Sequence, residues 1–160
     1  YIGTDGMKQR LWLTFFENGK IKTEKNYFNN QLHGAFKSYY QNGFIKNDMN
    51  YVFDIKNGYF KNYYGNGVLQ EEGIFKNGVM DSLYSSFNSQ NGKIETAGYY
   101  TNGSENGMWR YYNKDGVSIK EGEFINGIKN GIWIDFDESG KIVKKTSYVM
   151  GIEIVSIEVK

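Results

Sequence analysis

The chain has 160 residues, a net charge of +1 from 19 basic and 18 acidic side chains, and 18% aromatic residues (14 Tyr, 11 Phe, 3 Trp). That length supports one domain with a core, and charges of both signs spread along the chain leave no basic stripe of the kind nucleic-acid binders carry. The absence of cysteine and proline excludes disulfides, thiolate catalysis and cysteine metal sites and removes the usual obstacle to strands deep in a sheet.

From the N-terminus, an aromatic anchor recurs at Trp12, Phe36, Phe60, Tyr84, Trp109 and Trp133, with spacings of 24, 24, 24, 25 and 24 residues. Glycine stands two residues before four of them, at Gly34, Gly58, Gly107 and Gly131, while Arg10 and Ser82 fill that slot in the others. Three residues after each anchor comes a second aromatic: Phe15, Tyr39, Tyr63, Phe87, Tyr112 and Phe136. A turn glycine follows, and eight residues beyond it a third aromatic, from Tyr27 in the first copy to Tyr148 in the sixth. An extra residue before Gly92 is the one irregularity. Such a period marks a tandem repeat. The units run at about 10–33, 34–57, 58–81, 82–106, 107–130 and 131–154 within a single repeat domain over 1–160.

Each unit reads as strand, tight turn, strand, second turn. Asn18-Gly19, Asn42-Gly43, Asn66-Gly67 and Asn91-Gly92 carry the hairpin signal, because both residue types accept the positive φ of two-residue turns. The return strand alternates, with Ile21 and Tyr27 on one side and Lys22, Glu24 and Asn26 on the other. Gly73, Gly98 and Gly122 fall on its inward side, leaving room for a neighbouring ring or marking a bulge. Glycine about every eight residues argues against helix anywhere. The stretch from Gly151 to Lys160 alternates strictly and places Ile157 in the anchor column, so that 155–160 reads as a terminal strand, a cap or the beginning of a seventh unit. The expected fold is all-β, an elongated single-layer antiparallel sheet of about 12–13 strands built from tandem hairpins, ~4.8 Å apart and twisted. A lone hairpin is unstable in water, and stacking in series is what makes a core.

At this point the columns resemble a known family. Gly107, Trp109, Tyr111-Tyr112, Asp115-Gly116 and the run Glu121-Gly122-Glu123-Phe124-Ile125-Asn126-Gly127 resemble the bacterial variant of the MORN repeat, as in part does Gly58–Gly78. The likeness covers nearly the whole chain. It implies a MORN-like elongated sheet and a scaffold role in protein or membrane-surface association; some bacterial members are filed as antitoxin-like. The first unit departs from the pattern at Arg10, Lys25, Asn26 and Asn30, and the fourth at Ser82. Choline-binding and clostridial toxin repeats also combine Gly, Trp and Tyr-Tyr. The 24-residue period and the Glu-Gly-x-Phe-x-Asn-Gly runs at Glu72–Gly78 and Glu121–Gly127 favour the MORN variant over them.

His33, the only histidine, occupies a slot held elsewhere by Asn57, Asp81, Asn106 and Asn130, and so reads as a turn residue. With one histidine and no cysteine, neither a zinc site nor a nucleophilic site has partners to draw on. No catalytic, cofactor-binding or metal-binding residue is assigned, and the chain reads as non-catalytic. The acidic column Glu24, Asp48, Glu72 and Glu121 repeats two strands apart, about 9–10 Å, too far for two carboxylates to share a metal. Lysines accompany the row, as at Lys22 and Lys46, and ion pairing across strands on a solvated face is its expected role.

One column breaks the symmetry. Four residues after the anchor stand Phe16, Tyr40 and Tyr64, then Asn88, Asn113 and Asp137. In a strand this column opposes the aromatic beside it, and its acceptance of Asn and Asp marks it as solvent-facing. Phe16, Tyr40 and Tyr64 are therefore the candidate ligand-binding ladder, rings about 10 Å apart that suit an extended chain, a glycan or a partner's apolar face. The bland alternative is that something packs on the N-terminal half. Two functions follow: a non-catalytic scaffold for protein–protein or surface association, and a glycan- or cell-wall-binding module of a secreted bacterial protein. A protein partner heads the expected ligands, followed by a glycan or a membrane surface. The missing basic groove argues against nucleic acid, and open sheet edges invite end-to-end self-association. High Asn, Lys, Ile and Tyr usage points to a bacterial source, and a secreted or surface-exposed location is favoured over the cytoplasm.

Overall fold

In the computed structural model, which describes residues 2, 3 and 6–159, every regular element is a strand. The chain forms two compact units, Tyr1–Val79 and Met80–Lys160. The first holds β1 (Arg10–Phe15), β2 (Ile21–Phe28), β3 (Gln31–Tyr39), β4 (Ile45–Val52), β5 (Ile55–Tyr63) and β6 (Leu69–Lys76). Each pairs antiparallel with the next. The second holds β7 (Val79–Phe87), β8 (Ile94–Thr101), β9 (Ser104–Glu105), β10 (Gly107–Tyr112), β11 (Ser118–Ile125), β12 (Ile128–Phe136), β13 (Ile142–Val149) and β14 (Ile152–Glu158). Short β9 and β10 both lie against β8, and from β10 onward each strand pairs with its successor. The all-β architecture of consecutive antiparallel hairpins is the one the periodicity predicts. The strand total exceeds it only because an irregularity at Asn106 splits β9 from β10.

Two kinds of connection alternate, and the sequence signals had them reversed. The tight turns are Asn29-Asn30, Phe53-Asp54, Asn77-Gly78, Asn102-Gly103, Asn126-Gly127 and Met150-Gly151, with φ of 48–50° then 65–87°. Both angles are left-handed, the type I′ geometry whose twist matches the flanking strands. The loops containing Asn18-Gly19 and its equivalents are longer, spanning 16–20, 40–44 and 64–68 in the first unit. There only the glycine is left-handed (Gly19 φ 78°). The asparagine acts through its side chain: Asn18 Oδ1 accepts the Lys20 N–H at 3.1 Å, and Asn42 and Asn66 do the same for Phe44 and Val68. Asparagine suits both roles, so the dipeptide alone does not separate them.

The slot two residues before the anchor is left-handed in all six copies, including Arg10 (φ 60°) and Ser82 (φ 107°). On β3 it forms a bulge in which His33, Gly34 and Ala35 oppose Asn26 between the pairs Tyr27–Leu32 and Lys25–Phe36. His33 therefore stands inside a strand and not in a turn. β14 lacks such a residue and carries a single extra one, Ile154. Its register brings Ser156 opposite Thr146, whose other neighbour is the anchor Trp133. A one-residue slip moves every side chain to the opposite face. Ile157 accordingly leaves the anchor column and is exposed on the other side; Lys160, at the end of the expected terminal segment, lies outside the described residues.

Residues directly opposite each other share a face, so the anchors and their partners define one side of the sheet, the ring face. In the first unit its central row is Trp12, Lys25, Phe36, Met49, Phe60 and Gly73. In the second, Trp109, Phe124 and Trp133 form the buried cluster, with Tyr84, Tyr100, Tyr111 and Tyr148 packed against it. The core is one side chain thick, yet Phe60 is 3% exposed and Trp133 1%. Rings meeting edge-on cover one another, as Phe124 and Trp133 do at 4.9 Å, each such pair contributing about 0.5–1.5 kcal/mol beyond its area. Gly98 and Gly122 make room for the indoles of Trp109 and Trp133, which lie across their Cα atoms. Each indole N–H donates to the carbonyl of the residue after that glycine, Tyr99 or Glu123, at 3.1 Å.

Candidate binding face of the first unit

Beside the anchor row of the first unit runs a polar row: Thr14, Thr23, Ser38, Asn47, Asn62 and Glu71, each opposite the next. Its members are hydrogen-bonded along most of its length. The Thr14 and Thr23 hydroxyls hydrogen-bond at 2.6 Å, Ser38 Oγ donates to Asn47 Oδ1 at 2.6 Å, Asn47 Nδ2 to Asn62 Oδ1 at 2.6 Å, and Asn62 Nδ2 to Glu71 at 2.8 Å. Beyond this row stand the first residues of the loops, Phe16, Tyr40 and Tyr64. All three are half-buried, less solvent-facing than the column pattern predicts. Tyr40 is tied down further, its hydroxyl donating to the Tyr63 carbonyl at 2.7 Å.

The return strands carry one extra residue at this level. Lys22 is unopposed between the pairs Phe15–Ile21 and Thr14–Thr23, and Lys46 between Tyr39–Ile45 and Ser38–Asn47. A bulge of this kind re-aims a side chain. Both lysines turn to the ring face, Lys22 Nζ 5.8 Å from the Phe16 centroid and Lys46 Nζ 5.7 Å from that of Tyr40. Simple alternation assigns Lys22 to the opposite side with Glu24 and Asn26. The lysines were missed for that reason, and only the unequal residue count of paired strands would have revealed them. Phe16, Lys22, Thr23, Ser38, Tyr40, Lys46 and Asn47 line one open depression of about 710 Å³. Tyr64 is not among its walls.

The break in symmetry after the third repeat has a local cause. Where Phe16 and Tyr40 give way to Asn113 and Asp137, the side chain caps its own loop. Asn113 Oδ1 accepts the N–H groups of Asp115 and Val117 at 2.9 and 3.0 Å, and Asp137 Oδ1 those of Ser139 and Lys141, both at 2.9 Å. In the first unit that task falls to Asn18, Asn42 and Asn66, which releases the earlier position for a ring. The slot of Lys22 and Lys46 is taken in the second unit by Glu95, Ile119 and Val143, and Glu95 accepts from Asn88 Nδ2 at 2.8 Å. Its polar row neutralises itself through Lys120–Asp135 at 2.7 Å and Lys144–Glu158 at 3.8 Å.

On the opposite face the acidic column pairs across strands as expected: Lys37–Asp48 at 3.7 Å, Lys61–Glu72 at 3.0 Å and Arg110–Glu121 at 2.9 Å. The partners are the residues after the anchors, not Lys22 or Lys46. Such exposed pairs contribute about 0–1 kcal/mol each. Glu24 instead accepts the Tyr39 hydroxyl at 2.7 Å. Burial, then this hydrogen bond and the nearby carboxylates, push the phenol up to about 12.

The sequence profile of the MORN repeat variant matches residues 11–29, 32–52, 56–77 and 129–150, together just over half of the chain. The chain belongs to the MORN repeat variant family. Each matched segment coincides with one hairpin, namely β1–β2, β3–β4, β5–β6 and β12–β13. A MORN repeat here is thus two strands around a long loop, with type I′ turns joining one repeat to the next. The unmatched stretch contains the six-residue loop at 88–93 and the interrupted strand at Asn106. No curated protein matches the chain. Membership makes it a repeat scaffold of a generally non-catalytic family commonly engaged in protein or membrane interaction.

Proposed function

We propose that this MORN-repeat chain is a non-catalytic scaffold that attaches to a surface or partner through the ring face of its first unit. The observation that carries this reading is the depression in which Phe16 and Tyr40 stand beside Lys22 and Lys46 over a floor of Thr, Ser and Asn side chains. Half-buried rings offer apolar area held at little further entropic cost. The floor supplies hydroxyl and amide groups that exchange hydrogen bonds with a polar ligand.

A protein partner and a glycan-bearing surface both use such chemistry. The glycan reading is favoured by the mixture of flat rings with short polar side chains, because a sugar presents apolar C–H faces and hydroxyls together. It places the protein outside the cytoplasm, secreted or surface-exposed.

The test compares wild type, Tyr40→Ala and Tyr40→Phe on a glycan array and in capture of protein partners. Tyr40→Phe keeps the ring and is expected to bind; Tyr40→Ala is expected to lose binding. Unchanged binding by a Phe16→Ala, Tyr40→Ala double variant would remove the ring face from the account.

A further inference from the structure

A net charge of +1 conceals a separation of charge in the first unit. Lys8, Lys22, Lys25, Lys46 and Lys56 each hold their ammonium over a ring of the ring face, 4.8–5.8 Å from a centroid. Glu24, Asp48 and Glu72 point the other way, with Lys37 and Lys61 as partners for the last two. In the strands of the ring face the acidic residue is Glu71, engaged by Asn62. Lys22 and Lys46 make no ion pair among the described residues. The second unit pairs its own lysines in the equivalent polar row.

We propose that the ring face of the first unit binds an acidic polysaccharide, its sugar rings against Phe16 and Tyr40 and its negative groups at Lys22 and Lys46. This rests on the reading of that face as the binding surface and names the ligand class. Charge complementarity sets the sign. The two lysines lie two strands apart, about 9–10 Å, so a chain running across the strands meets a ring and a cation at each step. An acidic peptide fits less well. The strands inside the sheet are already paired on both edges, so a peptide laid on the face meets no open strand edge to pair its regularly spaced N–H and C=O groups; each amide left unpaired is costly. A lipid bilayer needs projecting apolar side chains, whereas these rings are half-buried.

The test is affinity electrophoresis of the full chain in gels containing polygalacturonate, neutral dextran or poly-L-glutamate, with flotation on phosphatidylglycerol vesicles. Polygalacturonate is expected to retard wild type, less so as NaCl rises, while dextran and the vesicles leave it free. Lys22→Gln with Lys46→Gln should weaken the retardation by about tenfold, two exposed charge contacts' worth. Lys120→Gln in the second unit should leave it unchanged. Lys22 and Lys46 are exposed, so the circular dichroism and melting temperature of their double variant should match wild type. No retardation by polygalacturonate, or equal retardation by poly-L-glutamate, overturns the acidic-glycan assignment. If in that case Tyr40→Ala still abolishes capture of some other partner, the binding face stands and only its ligand class falls.

Discussion

The indole of Trp133 lies so closely across Gly122 that a Cβ on that glycine would stand 2.2 Å from Trp133 Cδ2. Trp109 and Gly98 repeat the relationship at the same distance. On the strand before them, the smaller anchors Phe36 and Phe60 meet Lys25 and Met49 in place of a glycine. These two indoles therefore fill the space their glycines leave, and a core one side chain thick leaves no second layer to absorb a mismatch. Gly122→Ala should destabilise the protein by about 2 kcal/mol or more, as overpacking does. Adding Trp133→Phe should recover part of the loss. Thermal melts of the single and double variants check this; additive losses would mean that the contact is not what fixes the glycine.

Met150 holds a left-handed φ of 48° in a type I′ turn while being 76% exposed. The strain of a long side chain there is not offset by burial. Met150→Asn should raise stability by about 0.5–1 kcal/mol, read as a shift of about 1–4 °C in melting temperature for a chain of this size. Ser82→Gly, at φ 107°, should act in the same direction.

Asn113 caps its loop with two backbone hydrogen bonds. Asn113→Ala should cost about 1 kcal/mol, and amide exchange should accelerate at Asp115 and Val117 before it does elsewhere. Asn113→Tyr would import the ring of the first unit without the cap. Asp115 does not replace the asparagine found at Asn18, so this variant should be destabilised as well. Chemical denaturation of both variants gives the comparison.

The Tyr39 hydroxyl, with its pKa pushed up to about 12 against an ordinary 10, links stability to pH. The folded state binds this proton more tightly than the unfolded one. The stabilisation is therefore complete below pH 10 and disappears as the pH rises toward 12. Tyr39→Phe removes it at every pH. The stability gap between wild type and Tyr39→Phe should be constant through neutral pH and close between about pH 10 and 12. A gap that widens in that window would contradict the upward shift that burial and the Glu24 hydrogen bond give this phenol.

Much of this architecture was legible in the columns of aromatic and glycine residues, because each marks a feature that every repeat must build: an anchor, a loop glycine, a covering ring. What the columns conceal is parity. Alternation holds only while paired strands have equal residue counts, and each hairpin here has an extra residue on its return strand. Lys22 and Lys46 consequently face the rings and not the solvent side with Glu24. In β14 the missing left-handed residue shifts Ile157 off the ring face for the same reason. Phe16 and Tyr40 stood out because a column changed chemistry, but the cause of the change was loop capping by Asn113 and Asp137, which depends on hydrogen bonds that no spacing displays. Tyr64 belongs to the same column and lies outside the depression.

The claim that the ring face of the first unit is the binding surface is tested most directly by nuclear magnetic resonance. The isotopically labelled chain is titrated with polygalacturonate and the perturbed amides are mapped. The account predicts shifts concentrated at Phe16, Lys22, Thr23, Ser38, Tyr40, Lys46 and Asn47, with Lys120, Asp135 and Lys144 of the second unit unmoved. Shifts centred on Lys37, Asp48, Lys61 and Glu72, or in the second unit, would contradict it.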